Sequence, residues 1–206
     1  MVQASWETSF VVIRSTNSDR IVSFGSNEFG LLGIGGDNSN VHGIQDVKLA
    51  QLFSSDSDNI RITKLKAGPR NAFAVVQHQT SIGQREMLIG WGAGRHGQLQ
   101  MREMNDAVLR GPRQVALPMR VMTWAYPTEV IDLSVGSQHT LVLTNDGKVY
   151  QLGSNAKHQL PNDLHPGQMH ERMDNWDEIE MPPIKLWSFR DHSTSILSFV
   201  GANMYL

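Results

Sequence analysis

Three stretches of the chain repeat one pattern, and this repetition decides the fold. They are 21–33 (IVSFGSNEFGLLG), 87–99 (MLIGWGAGRHGQL) and 148–160 (KVYQLGSNAKHQL). Each runs from apolar residues through a glycine and several small or variable positions to a leucine. The aligned glycines, Gly25, Gly92 and Gly153, are 67 and 61 residues apart. A period of this length, in segments too short for helices, indicates a repeat architecture built from strands.

A second pattern precedes each copy of the first. Its copies are 2–12 (VQASWETSFVV), 65–75 (LKAGPRNAFAV) and 133–143 (LSVGSQHTLVL). Gly68 and Gly136 are 68 residues apart, so the two patterns recur in step. A degenerate fourth copy covers 184–193 and leads into 199–203.

The repeated unit has the composition of β-strands. Two strand-like runs, 141–143 and 148–150, flank Asp146-Gly147, a dipeptide that predicts a hairpin with a two-residue type I′ turn. The first copy carries 17–19 at this position, and the second predicts a longer loop over 77–85. Sustained helical periodicity is missing, although the spacing of apolar residues in 44–53 indicates one short helix.

The repeats predict an all-β chain that forms a single repeat domain. Four short strands per unit at this period are typical of β-propeller blades. The expected fold is therefore a partial β-propeller, about half a ring, with roughly three and a half blades. The predicted blade-like units are about 1–58, 59–127, 128–183 and 184–206. Linkers are expected at about 35–58, 101–127 and 161–183.

These residues resemble the regulator-of-chromosome-condensation repeat, whose pattern is similar to Gly-x-x-His-Thr, then Asp-Gly, then Trp-Gly-x-Asn-x-x-Gly-Gln-Leu-Gly. The segment 136–140 (GSQHT) with Asp146-Gly147 matches the first half, while 25–33 and 91–99 match the second. Arg70-Asn71 departs from the His-Thr pair. The resemblance implies blades of a ring that has seven in the family, of which this chain would hold about half.

Three explanations of a half-ring stay open. The chain is a truncated or split gene product, a fragment whose ring another chain completes, or a short open array. The start of the sequence almost directly on a predicted strand favours the first of these. Open arrays expose unpaired strand edges, which is a liability for a folded protein.

Composition excludes several classes of function. The 206 residues include no cysteine, which removes disulfides, thiolate nucleophiles and zinc knuckles. A net charge of −2 gives no overall attraction to nucleic acid or to anionic lipid. The longest apolar run, 10–13, is far shorter than the roughly 20 residues of a membrane helix. We therefore expect a soluble protein of the cytoplasm, the nucleus or both.

Motifs that carry catalysis or bind metals are weak. Histidines at 158, 165 and 170 lie in a predicted proline-broken loop, where spacings of seven and five do not suit a rigid metal site. The Ser137, His139 and Asp146 set falls on repeat positions. The motif Gly92-x-Gly94-x-x-Gly97 lacks the strand–turn–helix context of a dinucleotide fingerprint. We expect no enzyme activity, no cofactor and no metal.

Two segments carry candidate partner-binding residues. The predicted linker after the second repeat is rich in arginine, and the segment 171–180 forms a predicted acidic loop around a tryptophan. Arg and Trp dominate the energetics of protein interfaces, although an ordinary solvated loop explains the same pattern. The predicted partner-binding residues are Arg95, Arg110, Arg113, Trp124 and Trp176.

The resemblance implies a non-enzymatic protein-interaction scaffold. The compact organisation is most similar to the alpha-tubulin suppressor branch, which implies a small zinc protein of diphthamide synthesis as partner and an influence on Elongator-dependent tRNA modification. The alternative is a guanine-nucleotide exchange factor for the Ran GTPase, although no wedge that would enter a nucleotide site is identified. A third possibility is a regulatory propeller fragment of a larger protein, such as a ubiquitin ligase.

Overall fold

The described part of the chain is all-β. The computed structural model describes 1–36, 41–53, 59–80, 83–99, 108–115, 129–156 and the backbone of 172–178. These residues form twelve strands in three four-stranded antiparallel sheets, with one short 3-10 helix at Leu49–Leu52 and no α-helix among them. No helix in these ranges is long and apolar enough to cross a membrane.

Each sheet is a meander whose strands pair in chain order. The first sheet contains β1 (Val2–Ala4), β2 (Thr8–Ile13), β3 (Arg20–Gly25) and β4 (Gln45–Asp46). The second contains β5 (Ile60–Ala67), β6 (Asn71–Thr80), β7 (Gly83–Ala93) and β8 (Val108–Val115). The third contains β9 (Val130–Val135), β10 (His139–Thr144), β11 (Val149–Ser154) and β12 (Arg172–Glu178). The boundaries of the four predicted units, and the half-ring, stay predictions, since 184–206 lie outside the described residues.

The sheets pack face to face, and burial follows from that packing. Along β2, and again along β10, buried residues alternate with half-buried ones, as the two-residue period of a strand requires. On β6 the run Phe73–Val76 is completely buried, because the second sheet has a neighbour on each face. One apolar cluster joins the first and second sheets, and another joins the second and third. The first strands β1, β5 and β9 contact one another in succession.

Two buried polar contacts join the first and second sheets. Trp91 is fully buried, and its Nε1–H donates to the Leu31 carbonyl oxygen at 2.7 Å. Its ring meets Phe10 edge-on, with centroids 5.9 Å apart. The buried carboxylate of Asp19 accepts from the Ile62 N–H at 3.0 Å. Both contacts satisfy polar groups that would otherwise be costly to bury.

The Asp19 carboxylate also holds two arginines. It pairs with Arg14 and with Arg61 Nη1, the latter at 3.2 Å. Burial opposes ionisation of this carboxyl group, but the Ile62 N–H and the Arg14 guanidinium outweigh that effect. The pKa of Asp19 is therefore lowered below its ordinary value.

The repeat seen in the sequence has a common backbone geometry. Equivalent glycines lie at the last or next-to-last position of the third strand of each sheet: Gly25, Gly92 and Gly153, with φ of +118°, +101° and +114°. A Cβ on Gly92 would lie 2.5 Å from the Arg70 carbonyl oxygen, and the other two face a carbonyl oxygen at 2.0 and 2.3 Å. The Ala93 N–H donates to that same Arg70 oxygen at 2.7 Å. Only glycine fits these positions, so the sequence period is a structural period.

The hairpin at Asp146-Gly147 forms, but with a different turn. The Gly147 N–H donates to the Thr144 carbonyl oxygen at 2.9 Å, and the Thr144 N–H donates to Lys148 O at 3.0 Å. These bonds enclose a three-residue loop with Gly147 at φ +79°, which is a turn followed by a glycine bulge. The predicted two-residue type I′ turn was therefore wrong in type. Asn145 precedes the dipeptide and belongs to the loop.

Three further predictions of loops were wrong. The predicted loop over 77–85 is largely strand, because Gln77 pairs with Glu86 and Thr80 pairs with Gly83 across β6 and β7. The predicted linkers contain the fourth strand of each sheet, namely β4, β8 and β12. The predicted acidic loop around Trp176 is mostly β12. These strands carry polar and charged residues, as edge strands commonly do, and so lack the apolar alternation that marks a strand in sequence. The predicted helix over 44–53 is reduced to the 3-10 turn at Leu49–Leu52.

Candidate functional site

One end of the three sheets gathers the loops that carry aromatic and basic side chains. We call it the turn face; its residues are the turns 5–7, 68–70 and 136–138 and the segments 26–31 and 93–98 that follow third strands. The pairing places them together, because the start of each second strand lies opposite the end of the third. Thr8 pairs with Gly25, for example, and Asn71 with Gly92.

Arg70 is the centre of the turn face. Its guanidinium carbon lies 4.6 Å from the Phe29 ring centroid and 5.8 Å from that of Trp6, within the range of cation–π attraction. Trp6 is 62% exposed, which is unusual for a tryptophan side chain. Ser5 Oγ donates to the Pro69 carbonyl oxygen at 2.9 Å and joins the turns of the first and second sheets.

Two cavities open beside Arg70. The first, which we call the aromatic cavity, has a volume of about 180 Å³ and lies between the first and second sheets. Trp6, Phe29 and Arg70 line it together with two carboxylates, Glu7 and Glu28. Apolar surface and both signs of charge are therefore within reach of one ligand.

The second cavity, which we call the donor cavity, has a volume of about 70 Å³ and shares Phe29 and Arg70 with the first. Arg95, His96 and Gln98 also line it. Arg95 Nε donates to His96 Nε2 at 3.2 Å, and the His96 N–H donates to Gln98 Oε1 at 2.9 Å. Gln98 is fully buried, and its Nε2 has no hydrogen-bond partner.

The structure separates the predicted partner-binding residues. Arg95 is exposed and lines the donor cavity, where it lies with Arg70. Arg110 and Arg113 are on β8, which is a strand and not the predicted loop, and neither lines the two cavities. The Arg110 carbonyl oxygen accepts from the Gly35 N–H at 2.9 Å and so contacts the first sheet. Trp176 lies on β12, and position 124 is outside the described residues.

Sequence reasoning missed the residues that shape the site, which are Trp6, Phe29, Arg70 and Gln98. Arg70 was noted only as a departure from the repeat pattern. This departure was the one sign of a binding role in the sequence, because a residue that does not follow the repeat pattern is not needed to build the repeat and is free to bind a ligand. Trp6 stood inside the repeat copy 2–12, and nothing in that pattern marked it as a binding residue.

The geometry argues against the catalytic set considered from sequence. Ser137 and His139 are at one end of β10, whereas Asp146 follows the other end, about 17 Å away for a six-residue strand. Asp146 accepts from the Thr144 hydroxyl at 2.6 Å within the hairpin loop. Burial lowers the pKa of His139, whose ring packs on Gly136.

The remaining motifs give no cofactor or metal site in the described ranges. Gly92 is the next-to-last residue of β7, and the chain continues through turns at 95–99 with no helix, so the dinucleotide fingerprint lacks its context. No group of three potential metal ligands occurs among the described residues. Histidines 158, 165 and 170 lie outside them.

The fold and its turn face define a propeller-type repeat protein, and comparison with known proteins agrees. The family model of the regulator of chromosome condensation (RCC1) repeat matches 130–159, which contains β9 to β11. The human probable E3 ubiquitin-protein ligase HERC6 is 30% identical over 145 residues, and the mouse inhibitor of Bruton tyrosine kinase is 27% identical over 150. These matches cover 70% and 73% of this chain but only 12% and 10% of the relatives.

Solved structures show the same fold. Prp20p of Saccharomyces cerevisiae aligns with a TM-score of 0.62 at 17% identity, over 89% of this chain and 39% of that one. Yeast RCC1 (Prp20) bound to Kap60 aligns with a TM-score of 0.59, over 89% and 37%. Together the family-model match, the relatives and the fold support the RCC1 repeat family for this chain. It spans well under half the length of each protein it matches.

Proposed function

We propose that this chain is a non-enzymatic protein-interaction module that binds a partner protein through its turn face. The observation that carries the proposal is the exposed Trp6 beside Arg70 and Phe29, next to two cavities. Trp and Arg residues that fill or border pockets are the usual anchors of protein interfaces. Trp6 and Arg70 lie on short turns between paired strands, and this restrained backbone lowers the entropic cost of binding.

What the structural neighbours bind supports a binding role. Yeast RCC1 forms a complex with Kap60, and Prp20p has binding properties to Gsp1p and histones. Both are contacts between proteins. We carry over from them only the class of ligand, a protein, because the likeness is one of fold.

A guanine-nucleotide exchange factor for a Ran-type GTPase is the second candidate. Its support is the structural likeness to Prp20p. A regulatory part of a larger protein, such as a ubiquitin ligase, is the third, and the match to HERC6 supports it. The alpha-tubulin suppressor branch, with a small zinc protein as partner and a role in Elongator-dependent tRNA modification, stays a prediction from resemblance, and none of these matches bears on it.

The proposal also covers how the propeller ring is completed and where in the cell the protein is located. Successive contacts of β1, β5 and β9 support an arrangement of the three sheets as neighbouring blades. Another chain, or further residues of a longer protein, would then supply the remaining blades. We place the protein in the cytoplasm or nucleus, where such partners occur.

The test is affinity capture with matched variants. The tagged chain, its Trp6→Ala variant and its Arg20→Gln variant would be used with extract of its own cells, and bound proteins would be identified by mass spectrometry. Arg20 is an exposed arginine of β3 in an ion pair with Asp46, away from the turn face, and serves as the control. Circular dichroism would establish that all three proteins are folded.

The proposal predicts partners that bind the unchanged chain and Arg20→Gln but are depleted at least about tenfold by Trp6→Ala, as expected for an interface anchor. Equal recovery on all three proteins would exclude the turn face. A Ran-type GTPase among the depleted proteins would favour exchange activity, which a nucleotide-release assay then measures. Recovery of a diphthamide-synthesis protein would favour the alpha-tubulin suppressor branch.

A further inference from the structure

The donor cavity has a lining of unusual chemistry. Its residues are Phe29, Arg70, Ala93, Arg95, His96, Gln98, Val108, Ser137 and Gln138, and none of them is acidic. We propose that this cavity binds the carboxylate of an aspartate or glutamate in a peptide segment of the partner. The proposal rests on the proposed function and names the chemistry that the partner presents.

Two buried donors in this cavity have no acceptor. Gln98 is 0% exposed, and the donation of the His96 N–H to its Oε1 fixes which end of the amide is the donor. The Nε2 group that remains has no partner, and neither does the buried Nε of Arg70. Both residues line the cavity, and an acceptor bound there would offer a partner to donors whose burial without one costs free energy.

The charge of the cavity suits an anion. Arg70 and Arg95 each bring a guanidinium group, whose forked donors are suited to the two oxygens of a carboxylate. A volume of about 70 Å³ holds several waters and is enough for a carboxylate group. Phe29 holds the Arg70 guanidinium at 4.6 Å from its ring, which limits the motion that binding would have to suppress.

The lining of the neighbouring aromatic cavity favours a peptide over a polyanion as the ligand of the donor cavity. It shares Phe29 and Arg70 with the donor cavity but is also lined by Glu7 and Glu28. A nucleic acid or an anionic membrane would bring further negative charge against these two carboxylates. A peptide can place one acidic side chain in the donor cavity and an apolar neighbour beside the exposed Trp6.

The same acidic neighbours favour a carboxylate over a phosphate group. A phosphate on a peptide carries about two negative charges at neutral pH. The two arginines of the donor cavity attract both ligands. Glu7 and Glu28, however, repel a doubly charged phosphate more strongly than a singly charged carboxylate.

The experiment is a titration of the ¹⁵N-labelled full chain followed by NMR at the Arg70 Nε–H and Gln98 side-chain amide signals. The probes are three capped pentapeptides, Ala-Leu-X-Leu-Ala, with X as glutamate, glutamine or phosphoserine. We expect saturable shifts of both signals with the glutamate peptide and at least about tenfold weaker binding of the glutamine peptide, the value of a hydrogen bond between charged groups.

Variants keep the result interpretable. Arg95→Gln changes an exposed side chain, so it should fold and should weaken the glutamate peptide several-fold, while Arg20→Gln should leave its affinity unchanged. Equal binding of the glutamate and glutamine peptides, or unshifted Arg70 and Gln98 signals, overturns the proposal. Tighter binding of the phosphoserine peptide overturns the carboxylate as the ligand. Failure of this proposal can be distinguished from failure of the proposed function. Affinity capture tests the turn face through Trp6, and its result does not depend on the charge of the partner.

Discussion

Replacement of Trp91 by phenylalanine tests how the first two sheets are held together. The substitution removes the Nε1–H that donates to the Leu31 carbonyl oxygen at 2.7 Å, and it removes part of a ring that is completely buried against Phe10. The orphaned buried carbonyl costs about 1–3 kcal/mol. The lost ring atoms leave a small cavity that adds about 1 kcal/mol or more. We therefore expect the free energy of unfolding to fall by about 2–4 kcal/mol.

The assay is urea unfolding followed by far-ultraviolet circular dichroism, which reports the strands and does not depend on the tryptophan being changed. Trp6→Phe is the matched control, because it makes the same substitution at a side chain that is 62% exposed. This control should cost less than about 0.5 kcal/mol. If Trp91→Phe costs as little as Trp6→Phe, the contact between Trp91 and Leu31 does not stabilise the packing of the two sheets.

Three further predictions concern buried polar and glycine positions. Asp19→Asn should lower the free energy of unfolding by about 2–4 kcal/mol at pH 7, because it removes a buried negative charge paired with arginines and turns one of the two acceptor oxygens into a donor. The pKa of Asp19 is lowered from 3.8, so the ionised carboxylate stabilises the folded chain above that pH, and this stabilisation is lost as the pH falls through the folded-state pKa. In urea melts over a series of pH values, the stability of Asp19→Asn should therefore fall less steeply in acid than that of the unchanged chain. Gly92→Ala should cost at least about 3 kcal/mol by the same melts, whereas Gly36→Ala, at φ +75° with nothing within 4 Å, should cost about 1 kcal/mol; equal costs would contradict the clash with Arg70 O. Because burial lowers the pKa of His139 from 6.5, stability should fall as the pH drops below 6.5, and His139→Asn, which copies Asn71 of the second sheet, should reduce that fall.

The sequence predicted the repeated core well because its signals are local and steric. A glycine is required wherever a Cβ would meet a carbonyl oxygen, so Gly25, Gly92 and Gly153 recur at a visible period. The Asp146-Gly147 dipeptide likewise marks a hairpin. Whether its loop has two or three residues depends on which residues of β10 and β11 pair, and the dipeptide does not specify this.

The fourth strands and the binding face could not be read in the same way. Strands β4, β8 and β12 pair along one edge only within their sheets, so their pattern of polar residues carries little strand signal. The turn face is assembled from loops of different sheets: Trp6, Phe29 and Arg70 are separated by 23 and 41 residues in the chain. No local pattern links them. Among the predicted partner-binding residues whose side chains the structure describes, Arg95 lies beside a cavity of that face, and Arg110 and Arg113 do not.

The most direct test of a binding role for the turn face is site-specific photo-crosslinking in cells. A benzoyl-phenylalanine would replace Trp6 and, in a control protein, Ile44, which is 70% exposed on the segment before β4. Ultraviolet irradiation should produce a discrete crosslinked protein with the photoreactive group at position 6 and none, or a different one, at position 44. Crosslinks to the same proteins with the same yield at both positions would contradict the turn face as the partner-binding surface.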